Sequence, residues 1–482
     1  MKTYKAQAVV VGTGAGGAVA ADALARAGID TVIVEEGKFF KPGDYGTVFD
    51  GFAGMYQGGG STVALGHPPI SITLGRCVGG TTAINSSTCF RPPRQKVAAW
   101  GGPSYDELAP FIEEVEQRIQ ATPADPETIG GNWRVLKRGC DKLGVELKPL
   151  VHNIKDCKRR GRCQFGCPEG AKKSTDISFI PSAVEAGATL LTEHRVDGVI
   201  VENGRAAGVR GTALEHGYAF EVRADVVALC LGALTGPAFL LQHKILNKSK
   251  ALGRGLQIHP ACRVAAEFEE VVDGHVGLPQ GAFVDQWKAR GVMLEGIFIH
   301  PGFLITMLPG VGPDLKSLAL RYPHLSAFGV MVDDTAVGRV LPGRWGTRFT
   351  ALYQMNREDA EKMRFGIARV AEIYFAAGAR RVFTPRFGFT TMNSASEIAK
   401  FESTRVKAAH YELGAFHPLG TARMGADPKK SVVNFDLETH ELKNLYIMDG
   451  SVVPGSLGVN PQVTIMTLAL RAATRLADKL KP

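Results

Sequence analysis

A chain of 482 residues, with 45% hydrophobic and 21% charged residues, has the composition of a globular protein and is long enough for two or more domains. The net charge of +9 is mild for this length, and the basic residues are scattered rather than interleaved with aromatic ones, so we expect no nucleic-acid partner. Glycine and proline interrupt the most apolar stretch before it reaches the roughly 20 residues of a membrane span, so we expect no transmembrane segment.

The first forty residues have the pattern of a strand, a turn, a helix and a second strand. "AQAVVV" predicts a buried strand, and "GTGAGG" then matches G-x-G-x-x-G at Gly12, Gly14 and Gly17. The first glycine permits a tight turn, the second lets the backbone approach a pyrophosphate, and the third lets helix and strand pack closely. An acid that ends the second strand, Glu35 or Glu36, is placed to bind an adenosine ribose. The pattern predicts a Rossmann-type dinucleotide-binding domain without separating FAD from NAD, the alternative being a tight turn in another α/β protein.

Three later segments carry further motifs. "GRCVGGTTAINSSTCFR" (75–91) is a glycine-rich loop, and "FHPLGTARMG" (416–425) contains H-x-x-G-T. "NLYIMDGSVVPGSLGVNPQVTIMTLALRAA" (444–473) predicts a strand, a turn and a helix that begins near Asn460. With the first glycine motif, these segments resemble the glucose–methanol–choline family of FAD-dependent oxidoreductases, in the family's order and through the whole chain. The resemblance implies an FAD cofactor and the oxidation of an alcohol by hydride transfer to flavin N5.

The resemblance also implies where FAD binds. The glycine turn would hold the pyrophosphate, the acid after the second strand the ribose, and the glycine-rich loop the flavin side. Two more positions would contact the adenine and the ribityl chain with its phosphates. In that order, the implied cofactor-binding residues are Gly12, Gly14, Gly17, Glu35, Gly79, Gly80, Asn85, Val196, Asp449 and Gly450.

For catalysis the resemblance implies a histidine and an asparagine. His417, in the H-x-x-G-T motif, would take the hydroxyl proton, and Asn460 would be its partner. A histidine with a pKa near 6.5 can accept a proton at neutral pH, whereas an asparagine can only hold the substrate oxygen by hydrogen bonding. Asn460 could also cap the following helix, a role that asparagine fills well. His259, in another family-like segment, is interpreted as structural.

The resemblance implies an α/β fold with an α+β cap. The FAD-binding domain would be discontinuous, comprising residues 1–95, 190–262 and 410–482, and a substrate domain would comprise 96–189 and 263–409. Apolar residues between positions 300 and 324 fit either a pocket for an apolar substrate or ordinary core packing.

The stretch "DCKRRGRCQFGCPEG" (156–170) contains Cys157, Cys163 and Cys167, three of the eight cysteines of the chain. Few cysteines and no signal peptide disfavour a disulfide framework, and structural zinc usually takes four ligands. The segment resembles that of FAD sugar dehydrogenases, which implies a 3Fe–4S cluster on the three thiolates. It equally resembles that of long-chain alcohol oxidases and cholesterol-oxidase-like proteins, which implies free thiols. Another metal is a third alternative.

The sequence therefore predicts an FAD-dependent alcohol dehydrogenase or oxidase. With a cluster, electrons would pass to a quinone or to a partner such as cytochrome c or a small subunit; without one, oxygen would serve a long-chain alcohol or sterol oxidase. An FAD-containing enzyme that resembles hydroxynitrile lyases is a further alternative. The first apolar run leads into a glycine motif that signal cleavage would destroy, so a cytoplasmic location is the default, with export or membrane association through a partner left open.

Overall fold

The computed structural model describes residues 1–246, 248–298, 300–305, 308–344 and 346–481. The strands are, in chain order, β1 Lys2–Val11, β2 Thr31–Val34, β3 Val63–Leu65, β4 Ile70–Ile72, β5 Thr122–Pro123, β6 Lys148–Pro149, β7 Val151–His152, β8 Thr189–Leu191, β9 His194–Glu202, β10 Arg205–Ala213, β11 Ala219–Leu229, β12 Arg254–Leu256, β13 Ala261–Glu267, β14 Ala282–Val284, β15 Val292–Gly296, β16 Leu325–Val332, β17 Gly338–Pro342, β18 Phe349–Leu352, β19 Arg381–Phe383, β20 Thr391–Met392, β21 Gly414–Ala415 and β22 Leu445–Ile447.

The helices are, in chain order, α1 Gly17–Arg26, α2 Val48–Met55, α3 Thr81–Ile84, α4 Arg94–Ala99, α5 Tyr105–Arg118, α6 Pro126–Ile129, α7 Gly131–Leu143, α8 Thr175–Ser178, α9 Ile180–Glu185, α10 Thr235–Gln242, α11 Pro301–Leu304, α12 Pro313–Leu320, α13 Arg357–Ala376, α14 Glu397–Ser403 and α15 Gln462–Leu480.

The first sheet is centred on β1, whose second half is buried. Its strand order is β8-β2-β1-β11-β10-β9, with β22 beside β11. β1 pairs in parallel with β2 and β11, and α1 connects β1 to β2. The connection is close because Gly17 has no side chain: a Cβ there would lie 2.0 Å from the carbonyl oxygen of Gly12. The predicted α/β fold class with a Rossmann-type unit is confirmed, and the first strand begins at Lys2, four residues before the predicted start.

The second sheet is larger and mostly antiparallel. Its order is β12-β17-β18-β3-β4-β21-β13-β16-β15-β14-β6, with β19 attached to β13 and β20 attached to β19. Helix α13 packs on β16 and on α7, and their apolar side chains form the core of this half of the molecule. The sheet thus gives the second half its own hydrophobic core, separate from the one around β1 and α15.

The strands of the first sheet come from three parts of the chain, namely both ends and residues 189–229. Short strands from the two ends, β3, β4 and β21, join the second sheet instead, as does β12, which follows residues 189–229. The two halves are therefore interleaved along the chain, and the proposed domain boundaries stay a prediction. Across the described ranges, we find no helix long and apolar enough to cross a bilayer.

Candidate active site

A cavity of about 1100 Å³ is bounded by both sheets and extends from the turn after β1 to the start of α15. Its wall includes the ends of β1 and β2 and the loop after β11 on one side and residues of β13, β15 and β16 on the other. Ten of the sequence-predicted residues line it, whereas Gly17 and Gly79 lie behind the wall: the ten are Gly12, Gly14, Glu35, Gly80, Asn85, Val196, His417, Asp449, Gly450 and Asn460.

Two glycine-rich loops converge at one end of this cavity. Gly12 has a φ of +100°, and a Cβ there would lie 2.5 Å from the carbonyl oxygen of Cys230. A Cβ on Gly14 would meet no atom within 4 Å, because that position opens on the cavity. Gly80 comes from the second loop, and its Cβ would lie 2.9 Å from the Cα of Gly14. The two backbones form the kind of concave surface that a pyrophosphate can approach closely.

The carboxylate of Glu35 fixes the glycine turn. Its Oε2 accepts hydrogen bonds from the N–H of Thr13 at 3.0 Å and from the Thr13 hydroxyl at 2.7 Å, and its Oε1 accepts one from the N–H of Gly37 at 2.8 Å. The Thr13 hydroxyl in turn accepts the N–H of Gly79 at 3.0 Å. Burial raises the pKa of Glu35. The residue therefore links β2 to both loops, and its contact with a ribose stays a prediction.

Asp449 ties the last strand of the first sheet to the loop after β11. Its Oδ2 accepts the N–H of Gly232 at 2.8 Å, and its Oδ1 accepts the N–H of Ser451 at 2.8 Å. Burial raises the pKa of this carboxyl group. Gly450 and Val196 also line the cavity, so three positions that the resemblance assigns to the cofactor lie in its wall, and their contacts with the cofactor stay a prediction.

His417 and Asn460 lie together in the wall of the same cavity. Asn460 Nδ2 is 3.4 Å from His417 Nε2. His417 Nδ1 and Asn460 Oδ1 are buried without a hydrogen-bond partner among the described residues. Helix α15 begins at Gln462 with Pro461 as its N-cap, so the Asn460 side chain does not cap it. Both side chains are thus directed to the cavity rather than to the helix end.

A residue that the sequence reasoning missed, Glu295, completes this group. Its Oε2 accepts a hydrogen bond from Gln280 and lies 3.5 Å from Asn460 Nδ2, so the Asn460 amide nitrogen contacts both His417 and Glu295. Glu295 is only 5% exposed, and desolvation raises its pKa to about 7. The signal in the sequence was a single acid within the otherwise apolar strand "VMLEG", since an unpaired carboxylate is rarely buried without a reason.

His259 contacts both the turn before Asn460 and the ring of His417. Its Nε2 accepts hydrogen bonds from the N–H groups of Leu457 at 2.9 Å and Gly458 at 3.1 Å, which holds the turn before Asn460. Its ring packs edge-on against His417 with 5.2 Å between centroids. Burial, together with the neighbouring His259, lowers the pKa of His417 well below the ordinary value. His417 is therefore neutral at neutral pH and can accept a proton.

The side chain of Asn85 is held by the first residue of α15. Asn85 Nδ2 donates to Gln462 Oε1 at 2.9 Å, and Gln462 Nε2 donates to the carbonyl oxygen of Thr88 at 2.7 Å. Gln462 was another residue that the sequence reasoning missed, because its partner lies 377 positions away. The pair joins the glycine-rich loop to the helix that follows Asn460.

The cysteine-bearing stretch contributes one wall of the cavity. Phe165 packs against Phe52, with 5.2 Å between ring centroids, and Phe52 packs against Tyr56 at 4.5 Å. The Tyr56 hydroxyl donates to the carbonyl oxygen of Gln164 at 2.5 Å, and Gln164 Nε2 donates to Ser86 Oγ at 3.0 Å. Gln164 and the three aromatic residues all line the cavity. This stretch is therefore part of the site even though its cysteines do not line it.

Lys172 holds the cysteine-bearing stretch in place. Its ammonium group is buried and donates to three carbonyl oxygens, those of Cys163 at 2.6 Å, Ala83 at 2.7 Å and Asn85 at 3.1 Å. Desolvation lowers the pKa of Lys172. Because one ammonium has three donors, all of them are used, and the stretch is tied to the loop that carries Asn85.

The three thiols are not arranged as a metal site. In the part of the chain that the structure describes, which includes all three, no group of three or more His, Cys, Asp or Glu side chains could hold a metal ion. Cys163 is buried, and desolvation raises its pKa to about 11, so it is a thiol at neutral pH. Cys157 and Cys167 are partly exposed. The three thiols therefore form no site for a single metal ion, and the 3Fe–4S cluster stays a prediction without support from the structure.

The apolar residues between positions 300 and 324 contribute both to the wall of the cavity and to core packing. Leu304 and Leu308 line the cavity, whereas Leu318 and Tyr322 lie with them in a hydrophobic cluster under the second sheet. Residues 306 and 307 lie outside the described residues. The cap thus gives the cavity part of an apolar wall.

Comparison with known proteins assigns the family. The family described as GMC oxidoreductase matches through its N-terminal part at residues 52–261 and through its C-terminal part at residues 345–469. An uncharacterised GMC-type oxidoreductase of Mycobacterium tuberculosis is 35% identical over 485 residues, 99% of this chain and 76% of the relative. A long-chain-alcohol oxidase of Arabidopsis thaliana is 28% identical over 516 residues, 99% of this chain and 68% of the relative.

Solved structures agree on the fold. Pyridoxine 4-oxidase from Mesorbium loti has a TM-score of 0.73 at 18% identity, over 98% of this chain and 99% of its own. Formate oxidase of Aspergillus oryzae has a TM-score of 0.71 at 16% identity, over the whole of both chains. The resemblance found in the sequence is confirmed: the chain belongs to the GMC oxidoreductases and is an FAD-dependent oxidoreductase that acts on CH–OH groups.

Proposed function

We propose that the protein oxidises an alcohol to the carbonyl compound, with His417 as the base, Asn460 as the group that holds the substrate oxygen, and oxygen as the electron acceptor. The observation that carries this proposal is the contact of His417 Nε2 with Asn460 Nδ2 at 3.4 Å in the wall of the cavity. Each of the two side chains also has a buried polar atom, His417 Nδ1 and Asn460 Oδ1, without a partner among the described residues. Buried polar atoms are usually hydrogen-bonded, so these two are available to a bound ligand.

The cavity fits FAD on several observations. Gly14 opens on it without a neighbour, Gly80 packs directly against Gly14 in its wall, and the start of α15 reaches it at Gln462. Gly12 and Gly14 would face the pyrophosphate, and helix α1, which starts at Gly17, would direct its N–H groups to the same charge. Bound FAD would supply the acceptor for the α-hydrogen of the alcohol as hydride. The individual cofactor contacts remain proposals.

The chain's own residues handle the hydroxyl proton. His417 is neutral because burial lowers its pKa, so its Nε2 can take the proton as the C–H bond breaks. Asn460 Nδ2 can donate a hydrogen bond to the substrate oxygen as negative charge develops on it, in exchange for one of its long contacts with His417 at 3.4 Å and Glu295 at 3.5 Å. Since the imidazolium of His417 would be formed in a buried site, it needs a nearby negative charge.

Glu295 can supply that charge as a positioning residue. It shares the Asn460 amide nitrogen with His417, and its pKa of about 7 allows it to ionise near neutral pH. The ionised form would stabilise the imidazolium and hold the Asn460 amide in one orientation. We therefore propose that turnover rises with pH as Glu295 ionises.

Oxygen is proposed as the acceptor because named relatives are oxidases, including the long-chain-alcohol oxidases of Arabidopsis thaliana and the 6'''-hydroxyparomomycin C oxidase of Streptomyces lividus. The alternative acceptor is a cytochrome or quinone reached through a 3Fe–4S cluster, and it has less support, since no group of side chains among the described residues forms a metal-ion site. An assay of iron and labile sulfide per flavin in protein purified without oxygen tests that alternative directly.

Anaerobic mixing with a panel of short, long-chain and sterol alcohols tests the proposal. Loss of the visible flavin absorbance, followed by its return and release of hydrogen peroxide on admission of air, is expected for at least one alcohol. The His417→Ala variant should keep its flavin but lose the reduction. A flavin that no alcohol reduces, with cleavage of a cyanohydrin instead, would replace the proposal by the lyase alternative.

A further inference from the structure

Three charged side chains, those of Glu36, Arg348 and Arg76, form a cluster at the rim of the cavity. We call this cluster the Glu36 clasp. Arg348 Nη1 and Nη2 donate to the two carboxylate oxygens of Glu36 as a fork, and Arg76 Nε lies 3.1 Å from Glu36 Oε1. All three side chains line the cavity. Such two-bond arginine–carboxylate pairs are stronger and more directional than single ion pairs.

The clasp lies at the end of the cavity where the adenosine half of a dinucleotide would be. Glu36 directly follows Glu35, whose carboxylate holds the glycine turn. Arg195, the neighbour of Val196, belongs to the same region: its hydrogen bond to Asp197 raises its pKa, and the charge of Glu36 contributes to the rise. The clasp is thus near both the glycine turn and the position assigned to the adenine.

The clasp also joins the two sheets across the cavity. Glu36 follows β2 of the first sheet, whereas Arg348 precedes β18 of the second sheet, 312 positions along the chain. The turn that carries Arg348 is itself fixed, because the Thr347 hydroxyl donates to the carbonyl oxygen of Arg344 at 2.7 Å and accepts its N–H at 3.1 Å. Gly346 and Thr347 of this turn line the cavity as well.

We propose that the Glu36 clasp closes the adenosine end of the cavity over FAD and that opening of the Glu36–Arg348 pair limits the release of the cofactor. The proposal rests on FAD as the cofactor of the proposed function. The Arg348 and Glu36 side chains are 34% and 17% exposed, so the pair is partly shielded from water yet still within reach of salt. The contact is between protein groups alone, and FAD need only lie beneath it.

The experiment measures the rate of FAD release from the flavin-loaded protein after dilution, by the fluorescence of free flavin, at low and high salt. Three variants are compared with the wild type: Arg348→Met, Glu36→Gln and the double variant. The matched control is Arg344→Met, which removes an exposed arginine from the same turn that does not line the cavity.

We expect release to be about fivefold faster in each single variant, which corresponds to about 1 kcal/mol, and no faster in the double variant than in either single one. High salt should accelerate release from the wild type and from Arg344→Met, but have a smaller effect in the other variants. If either single variant loads no flavin, Arg348→Lys, which keeps the charge and loses the fork, should give an intermediate rate.

Equal release rates in all proteins, including no release from any of them, would overturn the clasp and leave the proposed function intact. A wild-type protein that contains no flavin would overturn both. A double variant that releases FAD much faster than either single variant would show that the two residues act independently, and would also overturn the pairing.

Discussion

Replacement of Glu295 by glutamine should change how the stability of the protein depends on pH. The wild-type carboxyl group is buried, and its pKa is raised from 4.5 to about 7. The native state therefore keeps a proton that the unfolded chain loses as pH rises. The stability due to this proton is fully present below pH 4.5 and is lost as pH rises through about 7. A shift of this size corresponds to about 3 kcal/mol at about 1.36 kcal/mol per pKa unit.

Urea unfolding of flavin-saturated protein, on both sides of this window, measures the effect. Glutamine keeps the shape and the hydrogen bonds to Gln280 and Asn460 but cannot ionise. Glu295→Gln should therefore be more stable than the wild type above pH 7, by up to about 3 kcal/mol, and the difference should vanish towards pH 4.5. Glu113→Gln, at an exposed glutamate on α5, is the matched control for a glutamate-to-glutamine substitution outside the site. A stability difference between Glu295→Gln and the wild type that stays constant with pH would refute the reasoning.

Three further predictions concern single residues of the site. His417→Ala should lower kcat by about 10²–10⁴-fold with FAD still bound, because the site would lose the group that accepts the hydroxyl proton; unchanged turnover would remove His417 from the mechanism. Gly14→Val should abolish loading of FAD, since its Cβ would enter the cavity, and a fully flavinated variant would contradict the pyrophosphate assignment. Lys172→Met should leave three buried carbonyl oxygens without their donor and lower the free energy of unfolding by at least about 3 kcal/mol, at about 1–3 kcal/mol each. Lys173→Met, which loses one bond to Gly170, should cost less, and equal losses would argue against the three-carbonyl role.

The family and the Rossmann-type unit could be predicted from the sequence because their determinants are local. The tight turn at Gly12 and the close packing at Gly17 require the absence of a side chain, so those positions are constrained by their own backbone geometry. The strand and helix on either side follow from short-range apolar patterns. The H-x-x-G-T motif likewise pointed to His417 by its immediate neighbours, although its role as the base stays a prediction.

The role of the cysteine-bearing stretch in the cavity wall could not be predicted from the spacing of its cysteines. Three thiols within eleven residues suggested a cluster, yet spacing along the chain does not set the distances between the sulfur atoms. In the fold the stretch contributes Phe165 and Gln164 to the cavity, and Lys172 ties it to the loop of Asn85. Its role in the wall depends on contacts with residues about 80 positions away, which no local pattern reports.

The sequence by itself determined the fold class, the family and the dinucleotide motif, because each depends on backbone geometry and short-range patterns. Only the tertiary structure brought Glu295 to Asn460, across 165 positions, and Arg348 to Glu36, across 312. Such pairs form where separate strands of two sheets meet at one cavity, and burial there sets the charge state of Glu295 and His417. The physical reason is that desolvation and ion pairing depend on all the neighbours in space, whereas a sequence motif specifies only the neighbours along the chain.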